Sequence, residues 1–514
     1  MIAEKDIRAR RLRLGLRQRD VASEAGISPI QLRRWERGLA VPDVASARRI
    51  ASILQVSTAQ LLESQRAFVT TVVPGEGYTT SPQAGQELFL RRLSPPSGKK
   101  RVFDLFCGCG GLSFGFEQSG KFVTTAGIDL LRDRIDSFLA NHRFANAVAG
   151  DVRACSLRTL ASHIGPIDVL VGGPPCQGFS SIRPFRVLTE GDPRNSLIEH
   201  YVLILEHLRP EWFVFENVVG ILTHENGSRL RALLDATSAI GYRVDWRVLN
   251  AAHFGVPQHR ERLLIVGNLA GTEFKWPIPS HFVEYKSMAG KRPEVLTTIP
   301  LFSSHLLDPV TVMQAIGDLP HLKAGEEVTH YDSEPLTSYQ KMMRKKSRSL
   351  TLHAATRHSA RMLEIIRHAG KNRSALPAGL VRSGFSSCYS RLDADKPSTT
   401  LTVNFVHPAS NRCIHPTQDR ALTPREGARL QSFPDHFEFV GTSAQIVKQI
   451  GNAVPPLLGE ALANAIVQSE WDARRRHNVV RSRVQALPCK PLTRARIALY
   501  SLPAVDRGHT VESK

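Results

Sequence analysis

Short apolar segments alternate with amphipathic segments through the middle of the chain, and polar or glycine-rich turns separate them. The apolar segments have the length of strands, and the segments between them repeat apolar residues at helical spacing. Alternating strands and helices predict an α/β fold with a doubly wound, mostly parallel sheet. The predicted strands are Arg101–Phe106, Phe122–Ile128, a strand through Val148, Ile167–Val171, Trp212–Phe215, Arg243–Leu249 and Leu263–Gly267.

Polar or glycine-rich positions follow the first five of these strands. A doubly wound sheet binds its ligands at the carboxyl ends of the strands. The features at these ends are, in order, the turn CGCGG, Asp129, Asp151, the stretch GGPPC and Glu216-Asn217. Their convergence on one edge predicts a ligand site there more strongly than any one motif does.

The glycine turn after the first strand resembles a dinucleotide fingerprint only at its start. Gly108 and Gly110 are in place, but the sixth position is Ser113, so GxGxxG is incomplete. The turn fits close approach to an adenosyl group without a pyrophosphate. Asp129 could accept from ribose hydroxyls and Asp151 from the adenine amine, which together fit S-adenosylmethionine. Either acid alone could instead be a solvent-facing turn residue.

The cysteine after the fourth strand is the candidate nucleophile. Cys176 lies in GGPPCQGFSS, where small and rigid residues expose it at the ligand-binding edge. The alternative is that it is a small buried apolar residue, as most lone cysteines are. Cys107 and Cys109 are one residue apart, without a second pair at zinc-ligand spacing, so we expect no metal site.

Charged residues near the fifth and last strands are candidates for acid–base chemistry. Glu216 ends an apolar strand, so we expect partial desolvation, a raised pKa and a role in proton transfer. Alternation puts Gln258, Arg260 and Arg262 on one strand face, where two guanidiniums need anionic or carbonyl partners. An ion-pair ladder with Glu261 is disfavoured, because that side chain points to the opposite face.

The first 66 residues show short segments with helical apolar spacing. They are Ile7–Leu14, Gln18–Ala25, Pro29–Arg37, Val44–Leu54 and Thr58–Leu62. Ser28 caps the third segment, Pro29 takes its first helical position and Gln31 completes a capping box. The exposed residues predicted to contact DNA from this helix are Gln31, Arg33, Arg34 and Arg37.

This segment resembles the phage-repressor-like (XRE-type) helix-turn-helix family. The resemblance is carried by Gln18, Ala22, Gly26, Ile27, Ser28, the run WERG at 35–38 and Pro42. It implies a DNA-binding unit whose third helix enters the major groove. The alternative is a helical module that binds another protein.

The central residues resemble DNA (cytosine-5)-methyltransferases over 101–267 and 396–467. The motifs, in family order, are DLFCGCGG (104–111), Asp129, GDVR (150–153), GGPPCQGFS (172–180), ENV (216–218), QHRER (258–262), LTPREGARLQSFPD (422–435) and GNAVPP (451–456). The resemblance implies a Rossmann-like, S-adenosylmethionine-dependent enzyme that acts on double-stranded DNA.

The same resemblance implies roles for single residues. Cys176 would attack C6 of a flipped-out cytosine, Glu216 would act at ring N3, and Arg262 would donate to O2. Asn452 would reach back to the cofactor, and Phe106 would lie against it. In the family the gap between the two matched stretches holds a target-recognition domain.

The predicted organisation has six parts. They are a helix-turn-helix domain (1–66), a linker with room for one short ordered piece (67–99), the first part of the catalytic domain (100–269), a target-recognition domain (270–395), the second catalytic part (396–470) and a basic tail (471–514). The basic run at 341–348 either contacts phosphates or is a solvated loop.

Charge supports a polyanionic partner. The chain has 67 Lys and Arg against 47 Asp and Glu, so its formal net charge is 67 − 47 = +20. Residues 1–66 carry 13 − 7 = +6 and residues 471–514 carry 10 − 3 = +7, so the ends are denser in charge than the middle. Nucleic acid is the simplest partner, with solvation alone as the alternative. We expect the tail to be a solvated end rather than a set of phosphate contacts.

Other classes are disfavoured. Seven cysteines in 514 residues are too few for a disulfide scaffold, and we expect no membrane association, because no run of about 18 apolar residues occurs. The charged start lacks the apolar core of a signal peptide. We therefore expect a cytoplasmic, nucleoid-associated prokaryotic protein.

Several questions stay open at this point. A transcription regulator with an inactive enzyme domain and an RNA cytosine methyltransferase are the competing functions. Dimerisation through the helix-turn-helix, regulation of an operator and a cognate restriction endonuclease are further expectations that the sequence does not decide.

Overall fold

The computed structural model describes most of the chain. It covers residues 7–36, 44–56, 79–83, 86–90, 93–155, 157–175, 196–223, 227–285, 287, 306–381 and 384–485. The predicted helix Thr58–Leu62, Arg37, Cys176 and the tail beyond 485 lie outside these ranges. None of the helices within them is long and apolar enough to cross a membrane.

One sheet organises the described part of the catalytic region. Its nine strands have the order β1-β2-β5-β4-β3-β6-β7-β9-β8, and the central five are parallel. The strands are β1 Thr79–Gln83, β2 Gln86–Leu90, β3 Lys100–Leu105, β4 Phe122–Asp129, β5 Asn146–Ala149, β6 Val169–Gly172, β7 Trp212–Asn217, β8 Arg243–Asn250 and β9 Glu261–Asn268.

The helices lie in three groups along the chain. Their bounds are α1 Ile7–Arg13, α2 Gln18–Glu24, α3 Pro29–Glu36, α4 Val44–Ile53, α5 Gly111–Gln118, α6 Arg132–Asn141, α7 Leu157–Ile164, α8 Ser196–Leu208, α9 Ser228–Ala239, α10 Val312–Ile316, α11 Ser338–Arg344, α12 Ala360–His368, α13 Pro424–Leu430, α14 Ser443–Asn452 and α15 Pro456–Gln485. Helices α1–α4 form the amino-terminal unit, α5–α9 connect strands of the sheet, and α10–α15 follow the last strand.

The doubly wound, mostly parallel sheet confirms the predicted fold class. The central strands β6 and β7 are buried along their whole length, as expected where helices cover both faces. One apolar core includes Phe103, Leu170 and Phe213, and another includes Val102, Val169 and Leu462. Strand alternation thus sends neighbouring residues of β3 to opposite layers.

The segment predicted as a linker differs from the structure. Strands β1 and β2 form a hairpin, and β2 pairs antiparallel with β5. Phe89 is buried in a small core with Phe138. Part of 67–99 therefore extends the sheet. The Pro, Gly and Thr content of this segment masked two short strands that are stabilised by pairing rather than by local propensity: β2 pairs with β5, and β1 pairs with β2 at the edge of the sheet.

The amino-terminal unit packs around Ala22, Leu32 and Trp35. Ser28 and Gln31 exchange the two hydrogen bonds of the predicted capping box, at 3.1 and 3.0 Å. A buried ion pair between Arg11 and Glu36 ties α1 to the end of α3. The helical arrangement predicted for this unit is therefore present.

Buried arginines join the region before residue 395 to the helix that follows it. Arg429 on α13 donates to Asp435 Oδ2 at 2.7 Å and also pairs with Asp318. Arg420 donates to Glu426 Oε1 at 2.6 Å. Each guanidinium forms more than one charge-assisted hydrogen bond, which compensates for its removal from water. A capping box of Thr423 and Glu426 starts this helix.

Helix α15 closes the catalytic domain by packing closely on α5. A Cβ on Gly115 would lie 2.1 Å from the Pro456 carbonyl oxygen, and one on Gly459 would lie 2.6 Å from the Leu112 carbonyl oxygen. The helix begins at Pro456 and extends to Gln485. The two glycines allow backbone contact between segments separated by more than three hundred residues.

We predict that Gly115→Ala destabilises the catalytic domain. Within an isolated helix alanine is favoured over glycine by about 1 kcal/mol. Here the new Cβ would meet backbone atoms of α15, and such overpacking costs about 1–3 kcal/mol or more. Denaturant unfolding should show a lower midpoint than wild type, whereas Gln118→Ala, on the exposed end of α5, should not. An equal or higher midpoint for Gly115→Ala would contradict this packing.

Candidate functional site

The glycine turn after β3 is held against the end of β4. The Cys107 N–H donates to the Ile128 carbonyl at 2.9 Å, and the Gly108 N–H donates to Asp129 Oδ2 at 3.0 Å. Phe106 has a φ of +59°, which is uncommon for a residue with a Cβ and is often found at functional sites. Burial raises the pKa of Asp129, although two backbone N–H groups favour its charged form.

The second acid lies at the end of the neighbouring strand. β4 and β5 pair in parallel, with Asp129 opposite Ala149, so Asp151 lies beyond the adjacent strand end. The Arg153 backbone N–H and Nε donate to Asp151 Oδ1 at 3.1 and 2.9 Å. Side-chain hydrogen bonding to Asp151 raises the pKa of Arg153. The predicted adenine acceptor therefore already has a cationic partner.

The carboxy-terminal GNAVPP segment returns to the glycine turn. A Cβ on Gly111 would lie 2.4 Å from the Val454 carbonyl oxygen. Asn452 is exposed at the end of α14, two residues before this contact. The segment that carries Asn452 therefore lies beside the predicted cofactor turn. The side chain of Asn452 is not buried in the protein core.

Glu216 and Arg262 form a close ion pair at the carboxyl edge. Arg262 Nε lies 2.7 Å from Glu216 Oε1, and about a tenth of either side chain is exposed. β6 and β7 pair in parallel, and a Cβ on Gly173 would lie 2.6 Å from Glu216 Oε2. Asn217 Nδ2 donates to the Pro174 carbonyl at 3.4 Å. The GGPP stretch that leads to Cys176 therefore lies beside the ion pair.

Arg260 is more deeply buried than Arg262 and has different partners. It donates to the Gly451 carbonyl at 3.0 Å and to the Leu401 carbonyl at 3.3 Å. Its Nε has no hydrogen-bond partner among the described residues. Burial lowers the pKa of Arg260, and the neighbouring charge of Arg262 lowers it further. Its guanidinium links the QHRER segment to the carboxy-terminal part of the domain.

A buried polar chain beneath the glycine turn was missed in the sequence. Ser113 Oγ donates to Asp104 Oδ2 at 2.6 Å and lies 3.3 Å from His142 Nε2. His142 Nδ1 lies 3.0 Å from Glu117 Oε1. Burial raises the pKa of Asp104 to about 7, despite the Ser113 hydrogen bond. The available signal was an acid inside the apolar strand RVFDLF, where an unpaired charge is costly.

The predicted contacts of the recognition helix are partly described. Gln31 is exposed, but its side-chain oxygen accepts from the Ser28 N–H in the capping box. A base contact through that oxygen would compete with the cap. The side chains of Arg33 and Arg34, and all of Arg37, lie outside the described part of the structure.

The basic run at 341–348 divides into one fixed and four exposed residues. Arg344 donates to the Ser333 carbonyl at 2.7 Å, and its guanidinium carbon lies 3.9 Å from the Tyr331 ring centroid. The exposed residues are Lys341, Lys345, Lys346 and Arg348. Among the residues that the structure describes, no group of three His, Cys, Asp or Glu side chains is arranged to hold a metal ion.

Comparison with known proteins gives matches to both parts of the chain. The model of the C-5 cytosine-specific DNA methylase family matches residues 100–468, and a helix-turn-helix family model matches residues 7–61. The Type II methyltransferase M1.HphI of Haemophilus parahaemolyticus is 36% identical over 371 residues, which cover 71% of this chain and 86% of that protein. The Type II methyltransferase M.AgeI of Thalassovita gelatinovora is 32% identical over 434 residues, 71% of this chain and 99% of that protein.

A crystal structure of a proposed DNA modification methyltransferase from an Escherichia coli prophage has the same fold. It is 24% identical, with a TM-score of 0.56, and the match covers 72% of this chain and 99% of that one. This likeness shows that the two proteins share a doubly wound α/β fold. The chain belongs to the C-5 cytosine-specific DNA methylase family. It is a DNA (cytosine-5)-methyltransferase with an amino-terminal helix-turn-helix domain.

We predict that Asp104 makes stability depend on pH. Its pKa rises from 3.8 in the unfolded chain to about 7 when folded, in an environment of Ser113, His142 and Asp129. The stabilisation from the bound proton is fully present below the unfolded pKa and is lost as pH rises through the folded one. Asp104→Asn imitates the neutral acid and should avoid this loss.

The measurement is denaturant unfolding of wild type and Asp104→Asn between about pH 5 and pH 8. Relative to wild type, the Asn variant should become more stable as pH rises from about 5 to about 7, by at most about 3 kcal/mol, because about two pKa units of the wild-type stabilisation are lost in that window. Asp332→Asn, at an exposed position, should show no such trend. A constant difference between Asp104→Asn and wild type would contradict the raised pKa.

Proposed function

We propose that the enzyme transfers the methyl group of S-adenosylmethionine to C5 of a cytosine in double-stranded DNA. The observation that carries the proposal is the Glu216–Arg262 pair, at 2.7 Å, beside the GGPP stretch that leads to Cys176. A carboxyl and a guanidinium at fixed separation suit the N3 and O2 positions of a pyrimidine ring. The predicted nucleophile follows the adjacent strand end.

The residues at the glycine turn fit S-adenosylmethionine. Gly108 has a φ of +55°, and a Cβ there would meet nothing within 4 Å among the described residues, so the turn leaves room for a ligand. Gly110 continues this turn, and Phe106 offers a half-buried ring at its start. Asp129 and Asp151 would accept from the ribose and the adenine amine, and Asn452 would contact the cofactor from the returning segment. When bound, S-adenosylmethionine supplies an electrophilic methyl group.

The chemistry explains why these side chains are required. C5 of cytosine is too weak a nucleophile by itself. Attack of the Cys176 thiolate on C6 forms a C–S bond and produces an enamine, which makes C5 nucleophilic. Glu216 at N3 and Arg262 at O2 stabilise the charge that develops on the ring. After C5 gains the methyl group, its proton leaves and the thiolate is expelled, which restores the ring.

The target cytosine has to leave the helix for this reaction. C6 is attacked perpendicular to the ring plane, and stacked neighbours block that approach in a duplex. We propose that the base flips out to the Glu216–Arg262 pair.

Arg260 was predicted as a catalytic residue, and this stays a prediction. Its carbonyl contacts favour a role in positioning, because they fix the QHRER segment against residues 401 and 451.

A second function is proposed for the helix-turn-helix domain. We infer that it binds an operator and regulates transcription, with the exposed face of α3 as the reading surface. Support comes from the family match over 7–61 and from the intact cap of α3. Dimerisation through this domain would suit a palindromic operator. A cognate restriction endonuclease is proposed because the relatives are named Type II methyltransferases.

We predict that Cys176→Ser abolishes methyl transfer and retains duplex binding, since a serine hydroxyl remains protonated at neutral pH. Labelled-methyl incorporation into DNA and RNA, with gel-shift affinity, measures both effects. Wild type should label DNA rather than RNA, and a duplex with 5-fluorocytosine should trap wild type covalently, because fluorine cannot leave as a proton. Undiminished transfer by Cys176→Ser would refute the nucleophile. Preferential labelling of RNA would favour the RNA alternative.

We predict that operator binding and methylation can be separated. In the full-length protein, Arg33→Ala together with Arg34→Ala should weaken footprinting at the operator at least tenfold, because each base contact is worth about 1–3 kcal/mol. Methyl transfer at the catalytic recognition site should be unchanged. Arg48→Ala on α4 provides a control that removes one positive charge outside the recognition helix. Only weak, salt-sensitive and sequence-independent footprints for wild type would contradict an operator-binding role.

A further inference from the structure

His142 follows α6 and is fully buried beneath the glycine turn. Its ring packs on Phe138, with 4.4 Å between the ring centroids, and lies at the edge of Phe114 at 6.2 Å. In the sequence, His142 lies outside the glycine turn and outside every motif that the chain shares with the methyltransferase family. A polar side chain held this firmly needs hydrogen-bond partners, since burial without them is costly.

The ring contacts the glycine turn directly. Nε2 lies 3.3 Å from the Gly110 carbonyl oxygen and 3.3 Å from Ser113 Oγ. A Cβ on Gly110 would lie only 2.4 Å from Nε2. Gly110 has a φ of +88°, the left-handed conformation that starts α5. The imidazole therefore fills the space beneath Gly110 and contacts its carbonyl oxygen, while Gly110 has the left-handed conformation.

The other ring nitrogen is anchored to α5. Nδ1 lies 3.0 Å from Glu117 Oε1, which also accepts from the Thr124 N–H at 2.9 Å. Burial opposes ionisation of Glu117, but His142 and these hydrogen bonds hold the pKa of Glu117 below its usual value. Ser113 donates its proton to Asp104, so its oxygen can accept from Nε2. The ring thus bridges the two ends of α5 from below.

We propose that His142 is a positioning residue for S-adenosylmethionine binding. It holds the carbonyl and the left-handed conformation of Gly110, and through them the backbone of residues 106–110 that faces the cofactor. The inference rests on the proposed cofactor site. His142 itself touches neither cofactor nor DNA. Its loss therefore weakens cofactor binding without affecting the groups that act on cytosine.

The test compares two amide substitutions in the full-length enzyme. In His142→Gln the amide nitrogen takes approximately the place of Nε2, so the contact with the turn is retained. In His142→Asn the amide takes approximately the place of Nδ1, so only the link to Glu117 is retained. We expect His142→Asn to raise the KM for S-adenosylmethionine roughly tenfold, as for loss of one buried hydrogen bond. The value for His142→Gln should lie within about threefold of wild type.

The other kinetic constants separate positioning from general destabilisation. At saturating S-adenosylmethionine, kcat should stay within about twofold of wild type in both variants, and the KM for DNA should not change. Calorimetric titration with S-adenosylmethionine should rank wild type, His142→Gln and His142→Asn in the same order of affinity as the KM values do. Equal KM values for the Asn variant and wild type, or a fall in kcat alone, would overturn the proposal.

Two further variants distinguish the possible failures. Asp129→Asn tests the proposed cofactor site itself and should weaken S-adenosylmethionine binding. If it does not, the proposed site is wrong; if it does and His142→Asn does not, only the positioning role is wrong. Gly110→Ala should also weaken binding, because its Cβ would meet the His142 ring and because alanine is strained at a φ of +88°. Wild-type affinity in Gly110→Ala would overturn the proposed contact, even if His142→Asn fails to fold.

Discussion

The close contact between α5 and α15 is the constraint on which the site depends. Gly115 and Gly459 let the two helix backbones meet, and a Cβ on either would enter a carbonyl of the other helix. This contact brings the sequence-distant GNAVPP segment over the glycine turn. The domain is split by the region before residue 395, so neither part alone has the complete cofactor edge. The absence of side chains at Gly115 and Gly459 thus allows the helix packing that brings the parts of the proposed site together.

Buried charge complements this packing. Glu216 and Arg262 satisfy each other at the carboxyl edge, whereas Arg260 and Arg429 bind carbonyls and acids that hold the carboxy-terminal part in place. Buried ion pairs contribute little net stability compared with apolar packing, but an unpaired buried charge is strongly destabilising. The buried ion pairs instead specify one geometry. The hydrogen bonds of each arginine are satisfied in only one arrangement of its partners, and that arrangement aligns segments from distant parts of the chain.

The sequence was sufficient for the sheet, most strand ends and the acids that follow them, because period and turn residues are local signals. Strand bounds agree to within two residues at β3 and β7, and Glu216 and Arg262 form an ion pair at the carboxyl edge. It was insufficient for β2, which pairs with β5, for β1, which pairs with β2, and for His142, whose proposed role arises only when α6 packs beneath the turn. Arg260 shows the same limit, because side-chain alternation along a strand predicts on which face the guanidinium lies but does not predict its hydrogen-bond partners.

The identity of the methylated atom tests the account most directly. Duplex DNA incubated with the full-length enzyme and S-adenosylmethionine carrying a deuterated methyl group can be digested to nucleosides and analysed by mass spectrometry. We expect the label to appear in 5-methylcytosine alone, at one sequence context. Label in N4-methylcytosine or N6-methyladenine, or no label in DNA, would contradict it.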